Sequence, residues 1–288
     1  MSGAPNRAIQ MIGMDLDGTL LGPDGAVAAA EREALEAAAD AGVVVVPCTG
    51  RAHHEAAGAL AEMPGLDLGV FATGATITRL ADGAVLDAVH FAPETAAELV
   101  EALRPLPDAV LVYSVRGRTG VDYTVTGDGE LTPNTRWWFE HTSAAVRHVR
   151  HMDEADLAHV VRVAVVSNSA TLQPHLDALF ERFAGRIEAH SFGGVERTVD
   201  NPVQILEAFP PGVTKWRGLR WAADHLGIDP GCIGVVGDEV NDLPAFRDAS
   251  LAVAMGNAVP AVQELADHVV ADNRSGGAAE AIRWLLAR

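Results

Sequence analysis

Cysteine is nearly absent from this chain. Cys48 and Cys232 are the only two, and both lie in apolar runs. They read as buried free thiols in a reducing compartment, not as a disulfide framework. Aromatic residues make up only 5%, so the core must be built from small aliphatic side chains. Lysine is scarcer still, because Lys215 is the single one and the other basic residues are arginines. No apolar run approaches the ~20 residues that a membrane-spanning helix needs. The opening Met-Ser-Gly-Ala-Pro-Asn-Arg lacks the apolar stretch of a secretory signal. The expected setting is cytoplasmic, with no membrane partner. Positive charge is also in deficit: 21 Lys and Arg stand against 39 Asp and Glu, a net charge of −18. That field disfavours nucleic acid and anionic membranes as partners. An anionic substrate would need local cations or a metal to overcome it.

The 288 residues, 49% of them apolar, suit one large or two modest domains. Ile9 to Met14 reads as a buried strand that ends in Asp15-Leu16-Asp17-Gly18-Thr19-Leu20. Val27 to Ala41 reads as a helix closed by Gly42, Val43 to Val46 as a second buried strand, and Arg51 to Leu60 as a helix. A third strand is expected at Val70 to Ala72. This alternation predicts right-handed crossovers and a parallel sheet. The middle differs. Val110 to Val115, Val121 to Thr126, Val160 to Val166 and Arg186 to Ser191 read as strands. The polar alternation of Val121-Asp122-Tyr123-Thr124-Val125 suits an antiparallel sheet with one open face. The α/β rhythm returns with a helix over Lys215 to Leu226, capped by Thr214 and Gly227, and short strands at Ile233 to Val236, Leu251 to Ala254 and His268 to Ala271. The expected fold is α/β: a doubly wound parallel-sheet core over residues 1–84 and 210–288, interrupted by an inserted α+β domain over residues 85–209.

Residues i and i+2 of an extended segment share a side, so Asp15 and Asp17 are expected to converge. Two carboxylates that close need a compensating cation, and hard ions such as Mg²⁺ prefer oxygen ligands. In open α/β sheets, ligands sit beyond the carboxyl ends of the strands. Thr49-Gly50 occupies such an end and offers a hydroxyl and backbone N–H groups to an anion. Arg51 either touches substrate or pairs with surface acids. Lys215 opens a helix, where the macrodipole disfavours a cation by about 0.3–1 kcal/mol. It therefore calls for a partner anion, a phosphate or the Asp15 carboxylate. Gly237-Asp238-Glu239-Val240-Asn241-Asp242 places three carboxylates and an amide in six residues, more than a helix cap uses. Asp238 is read there as a metal ligand and Asp242 as its support.

Asp-Leu-Asp-Gly-Thr-Leu, Thr-Gly-Arg, the single Lys and Gly-Asp-Glu-Val-Asn-Asp, in that order, resemble the four motifs of the haloacid dehalogenase superfamily. The tail Val253-Ala254-Met255-Gly256-Asn257-Ala258, Ala266-Asp267 and Gly276-Gly277 resembles its Cof-like phosphatases. The likeness covers the outer segments; the middle matches only as a large α/β cap between the second and third motifs. Two departures stand out. Thr73-Gly74-Ala75 replaces the usual Asn-Gly-Ala, and Trp216 follows the lysine where glycine is common.

The resemblance implies an Mg²⁺-dependent phosphatase acting on small phosphorylated metabolites, sugar phosphates foremost. It implies Asp15 as the nucleophile that forms an aspartyl-phosphate, and Asp17 as general acid and base. It also implies a metal held by the Asp15 carboxylate, the Asp17 carbonyl and Asp238, with Asp242 orienting a bound water. Thr49, Gly50, Lys215 and Asn241 would hold the phosphoryl oxygens. Candidate substrate contacts in the insert are Arg116, Arg118, Trp137, Trp138, His141 and the run Arg147 to His151, most of them ordinary surface or packing residues. Asn201-Pro202 is a candidate hinge or contact. A phosphomutase with the same nucleophile and a non-catalytic phosphometabolite-binding protein are the alternatives. A monomer or small homo-oligomer is expected.

Overall fold

The first apolar run forms β1 (Met11–Met14), every residue of it buried. After it come α1 (Ala29–Asp40), β2 (Val44–Pro47), α2 (His53–Leu60) and β3 (Leu68–Phe71), then a β4 (Thr76–Arg79) and β5 (Ala84–Ala88) hairpin. The computed structural model describes residues 8–61, 63–168, 172–193 and 203–288. The chain divides into two compact units, Met1–Asp87 with Thr214–Arg288, and Ala88–Val213.

The second unit contains α3 (Pro93–Leu103), β6 (Val110–Ser114), α4 (Arg116–Thr119), β7 (Tyr123–Thr126), α5 (Pro133–His141), β8 (Val146–His148), α6 (Glu154–Leu157), β9 (Val160–Ser167), α7 (Gln173–Arg182), β10 (Glu188–Gly193) and β11 (Gln204–Phe209). Its sheet runs β10-β11-β9-β6-β7-β8, antiparallel except for the β7–β8 pair. Leu99 and Leu103 of α3 and Leu176 and Leu179 of α7 cover one face, against Val110, Val112, Val163 and Val165. The open face expected at β7 is closed instead. All four of its residues are buried, because Tyr123 packs against Trp138 and Phe139 of α5 at ring distances of 5.4 and 5.5 Å.

The first unit resumes with α8 (Lys215–Leu226), β12 (Ile233–Gly237), α9 (Leu243–Asp248), β13 (Leu251–Ala254), α10 (Pro260–Gln263), β14 (His268–Val269) and α11 (Gly277–Leu286). Its central sheet has the order β14-β13-β12-β1-β2, parallel throughout. A parallel bridge between Cys48 and Val70 extends it towards β3. The sheet is wound on both faces. A side chain at Gly13 would run into Leu219 of α8, and one at Gly234 would run into Leu285 of α11. Gly234 pairs in register with Ile12, so these two glycines point to opposite faces. Because β1, β2 and β12 are parallel, their carboxyl ends, with Asp15, Thr49 and Asp238 just beyond, share one edge. No helix among the described residues is long and apolar enough to cross a membrane.

Candidate active site

Asp15 leaves β1 with its N–H donated to the Val236 carbonyl at 3.0 Å, which fixes it beside the end of β12. Its carboxylate is buried. Lys215 reaches it from the first turn of α8, a helix start shaped by Thr214, whose Oγ1 accepts the Arg217 N–H at 3.1 Å. Lys215 is only 2% exposed. Its Nζ donates to Asp15 Oδ1 and to Asp242 Oδ1, each at 2.6 Å. The anion that a lysine at this position calls for is thus a pair of carboxylates. Asp242 Oδ2 in turn accepts the N–H groups of Asp238 at 3.0 Å and Glu239 at 3.1 Å, so the loop after β12 closes on itself.

Asp15, Asp238 and Asp242 present carboxylate oxygens that lie within 4.8 Å of one another. Three carboxylates face one ammonium, and the charge balance shows in their titration. Burial would lower Lys215, but Asp15 and Asp242 outweigh it and hold the ammonium well above its ordinary range. Burial raises Asp15, partly offset by Lys215 and reinforced by Asp242 and Asp238. Burial and Asp242 push Asp238 up to about 7. Lys215 offsets only part of this negative charge, and the cluster of hard oxygens is of the kind that could hold a divalent cation. Burial also pushes the neighbouring Cys48 thiol up, which keeps it an inert core group.

Asp17 does not join this cluster. The chain turns directly after β1, so the strand rule that would put Asp15 and Asp17 on one side does not apply. The Asp17 carboxylate accepts from Arg51 Nε at 2.7 Å and from Arg51 Nη2. The acid that Arg51 pairs with is Asp17. Thr49 is buried, with Oγ1 accepting the Arg51 N–H at 3.1 Å. Asn241 lies across Gly50: a Cβ placed on that glycine would stand 3.6 Å from Asn241 Nδ2. Trp216 packs against the core, which is the role its apolar ring suits.

Three supports were not read as site residues. Thr19 Oγ1 donates to Asp238 Oδ1 at 3.2 Å. Asn257 Nδ2 donates to the Gly18 carbonyl at 2.8 Å and to Asp238 Oδ2 at 3.2 Å. Asn273 donates its N–H to Asn257 Oδ1 at 3.0 Å and its Nδ2–H to the Leu21 carbonyl at 2.9 Å. Gly18 has φ +76° and its Cα abuts the Asp238 carboxylate, so a side chain there would collide with it. Thr19 and Asn257 stand inside motifs visible in the sequence; Asn273 carried no local signal.

Several of the insert candidates are engaged within their own unit. Arg116 pairs with Asp122 and Arg147 with Asp156. Trp137 stacks on His141 at 4.1 Å. Asn201-Pro202 lies outside the described residues. Sequence reasoning missed a buried cluster on this unit's sheet, where Arg162 donates to Glu207 at 2.6 Å and to the Tyr123 hydroxyl at 2.5 Å. Burial raises Glu207, but Arg162 and His190 outweigh burial and hold it below its ordinary value.

The carboxylate–lysine–carboxylate cluster stands at the carboxyl edge of a doubly wound parallel sheet, where open α/β sheets bind their ligands. The haloacid dehalogenase-like hydrolase family matches residues 12–282, and the chain belongs to that family. The 5-amino-6-(5-phospho-D-ribitylamino)uracil phosphatase YwtE of Bacillus subtilis is 26% identical over 97% of this chain and 99% of its own length. The solved structure of BT1666 from Bacteroides thetaiotaomicron, a phosphatase of this superfamily, superposes with a TM-score of 0.74 at 22% identity over 99% of both chains. The subclass IIB sugar phosphatase BT4131 superposes with a TM-score of 0.74 at 20% identity, covering 96% of this chain and 98% of its own.

Proposed function

We propose that this protein is an Mg²⁺-dependent phosphatase that hydrolyses small organic phosphate monoesters, sugar phosphates foremost, through an aspartyl-phosphate on Asp15. The observation that carries this reading is the double hydrogen bond of buried Lys215 to Asp15 and Asp242, with Asp238 adjoining. A carboxylate nucleophile needs no base, but it must be aimed, and Lys215 aims it. The named activities of YwtE and BT4131 support phosphate esters as the substrate class.

In the first half-reaction an Asp15 carboxylate oxygen attacks phosphorus, the ester P–O bond breaks, and Asp17 protonates the departing alkoxide. In the second, Asp17 takes a proton from water, whose oxygen attacks the phosphorus and returns Asp15 as a carboxylate. Lys215, Thr49, the Gly50 N–H and Asn241 stabilise the charge that builds on the phosphoryl oxygens. Asp15, Asp238 and the Asp17 carbonyl would hold the cation, and Asp242 would keep Lys215 and the loop after β12 in place. When bound, Mg²⁺ neutralises phosphoryl charge and screens the carboxylates from the substrate. Residues 85–209 act as a substrate-selecting cap. The two free thiols and the acidic surface support a cytoplasmic setting.

The test is inorganic phosphate release from a panel of sugar phosphates, nucleotides and cofactor phosphates, with Mg²⁺ or EDTA, for wild type and Asp15→Asn. Release that requires Mg²⁺ and falls by at least about a thousandfold in the variant is the expected result. No release from any compound by folded protein would sink the reading.

A further inference from the structure

Helix α8 opens with two cations. Lys215 and Arg217 both stand in its first turn, which holds no acidic residue, and the macrodipole disfavours positive charge there. Asp15 and Asp242 offset Lys215. Arg217 takes different partners. Its Nη2 pairs with Asp87 Oδ2 of β5 at 2.5 Å, and its Nη1 donates to the Gly74 carbonyl at 3.2 Å. Residues two apart on a helix do not face each other. The influence of Arg217 on the Lys215 cluster therefore passes through the backbone.

The carbonyl that Arg217 holds belongs to a strained turn after β3. Ala72, Thr73 and Gly74 have φ of +47°, +57° and +100° in succession. A β-branched residue in the left-handed region is an outlier, and such strain persists only where the surroundings hold it. On one side the Ala72 N–H donates to the Arg51 carbonyl at 2.8 Å and the Thr73 N–H to the Thr49 carbonyl at 3.0 Å. The turn is thereby fastened to the Thr49–Arg51 loop. On the other side Gly74 lies flush against α8, where a Cβ would stand 2.0 Å from the Thr214 carbonyl oxygen. One turn of helix further on, a Cβ on Gly218 would run into Val70 of β3. The Arg217 bond to Gly74 closes this contact, and Asp87 holds the guanidinium that makes it.

We propose that Arg217, anchored by Asp87, is a positioning residue. It pins the turn at Ala72–Gly74 to the first turn of α8 and so fixes the spacing between the Thr49–Gly50 loop and Lys215. Its part in turnover rests on the phosphatase reading; the brace itself does not. Under that reading loop and lysine hold the same phosphoryl group, and a misplacement of about 1 Å costs on the order of 100-fold in rate.

The test uses the full chain in Mg²⁺ as wild type, Arg217→Met, Asp87→Asn and the double variant. The Arg217 and Asp87 side chains are 29% and 26% exposed, so their removal is expected to leave the protein folded. If Arg217→Met does not fold, Asp87→Asn carries both measurements. The first is amide hydrogen exchange. Residues 49–51 and 72–74 are expected to exchange at least about tenfold faster in Arg217→Met, while β12 and α11 keep wild-type rates. The second is steady-state phosphate release from the best compound of the phosphate panel. In Arg217→Met kcat is expected to fall about 10- to 100-fold, with KM and the Mg²⁺ needed for half-activation changed less than about threefold. Asp87→Asn shows a smaller fall, and the double variant falls no further than Arg217→Met alone, because Asp87 acts through Arg217. Wild-type exchange at the turn overturns the proposal, and so does a wild-type kcat in the variant. Losses that add in the double variant overturn it too, since the two residues would then act separately. In each of these cases phosphate release by the wild type leaves the phosphatase reading standing. A wild type that releases no phosphate sinks that reading, and hydrogen exchange alone then decides the brace.

Discussion

At Lys215 a single buried ammonium is set against Asp15, Asp238 and Asp242, and its removal and theirs are not equivalent. Taking away one partner of a buried pair leaves the other uncompensated, at a cost of about 3–5 kcal/mol. Lys215→Ala strands two carboxylates that have no other cation in the cluster. In metal-free protein at pH 7.5 it is expected to lose stability on that scale in urea unfolding. Asp15→Asn removes one member of an acid excess and leaves Lys215 its bond to Asp242. Its stability is expected to stay within about 1 kcal/mol of wild type or to rise. Both variants lose phosphate release, so stability is what separates them. An Asp15→Asn protein as unstable as Lys215→Ala would mean that Asp15 supports the fold as well as the reaction.

The element that carries Asp15 and Asp17 is the turn after β1, and it is braced from far along the chain. Asn257 holds the Gly18 carbonyl and Asp238 together, and Asn273 holds Asn257. Loss of such a brace lets Asp238 and the turn drift, an effect worth about 10- to 100-fold in activity when supports of a metal site are removed. Asn257→Ala is expected to lower kcat in that range, to raise the Mg²⁺ concentration needed for half-activation, and to cost only about 1 kcal/mol of stability. A loss of stability without a change in Mg²⁺ requirement would reduce Asn257 to a packing residue. The same turn shows what is legible in a sequence. Strand β1, helix α8 with its Thr214 and Gly227 caps, and the aspartates at strand ends follow from local patterns that the fold leaves intact. The pairing of Asp17 with Arg51 does not, because it depends on where the chain stops being extended. Strands β4, β5 and β11 also escaped. Thr76–Arg79 is short and polar at three of four positions, and Gln204–Phe209 has no strict alternation. Each is a strand because of what it pairs with. Asn273 is invisible for the same reason, since its target Leu21 lies 252 residues away in sequence.

On the scale of the whole molecule, a net charge of −18 and a carboxylate cluster make stability depend on pH and on cations together. Asp238 stands at about 7 in the folded chain, against an ordinary value of 3.8. The folded state therefore holds a proton that the unfolded state has released. The stability this contributes is full below the ordinary value and is lost as pH rises through about 7. Raised Asp15 acts with the same sign. His53, lowered by burial, acts with the opposite sign near its ordinary 6.5, so a plain pH profile mixes the two. Mg²⁺ separates them, because it binds the ionised carboxylates and leaves His53 alone. General screening of the acidic surface is removed by a NaCl control of equal ionic strength. The rise in Tm with Mg²⁺ over that control is expected to be small at pH 5.5 and to grow steadily to pH 8, as the cation replaces the proton. Asp238→Asn is expected to flatten the curve. A Tm increment independent of pH, or one that Asp238→Asn leaves unchanged, would place the cation somewhere other than the Asp15–Asp238 cluster.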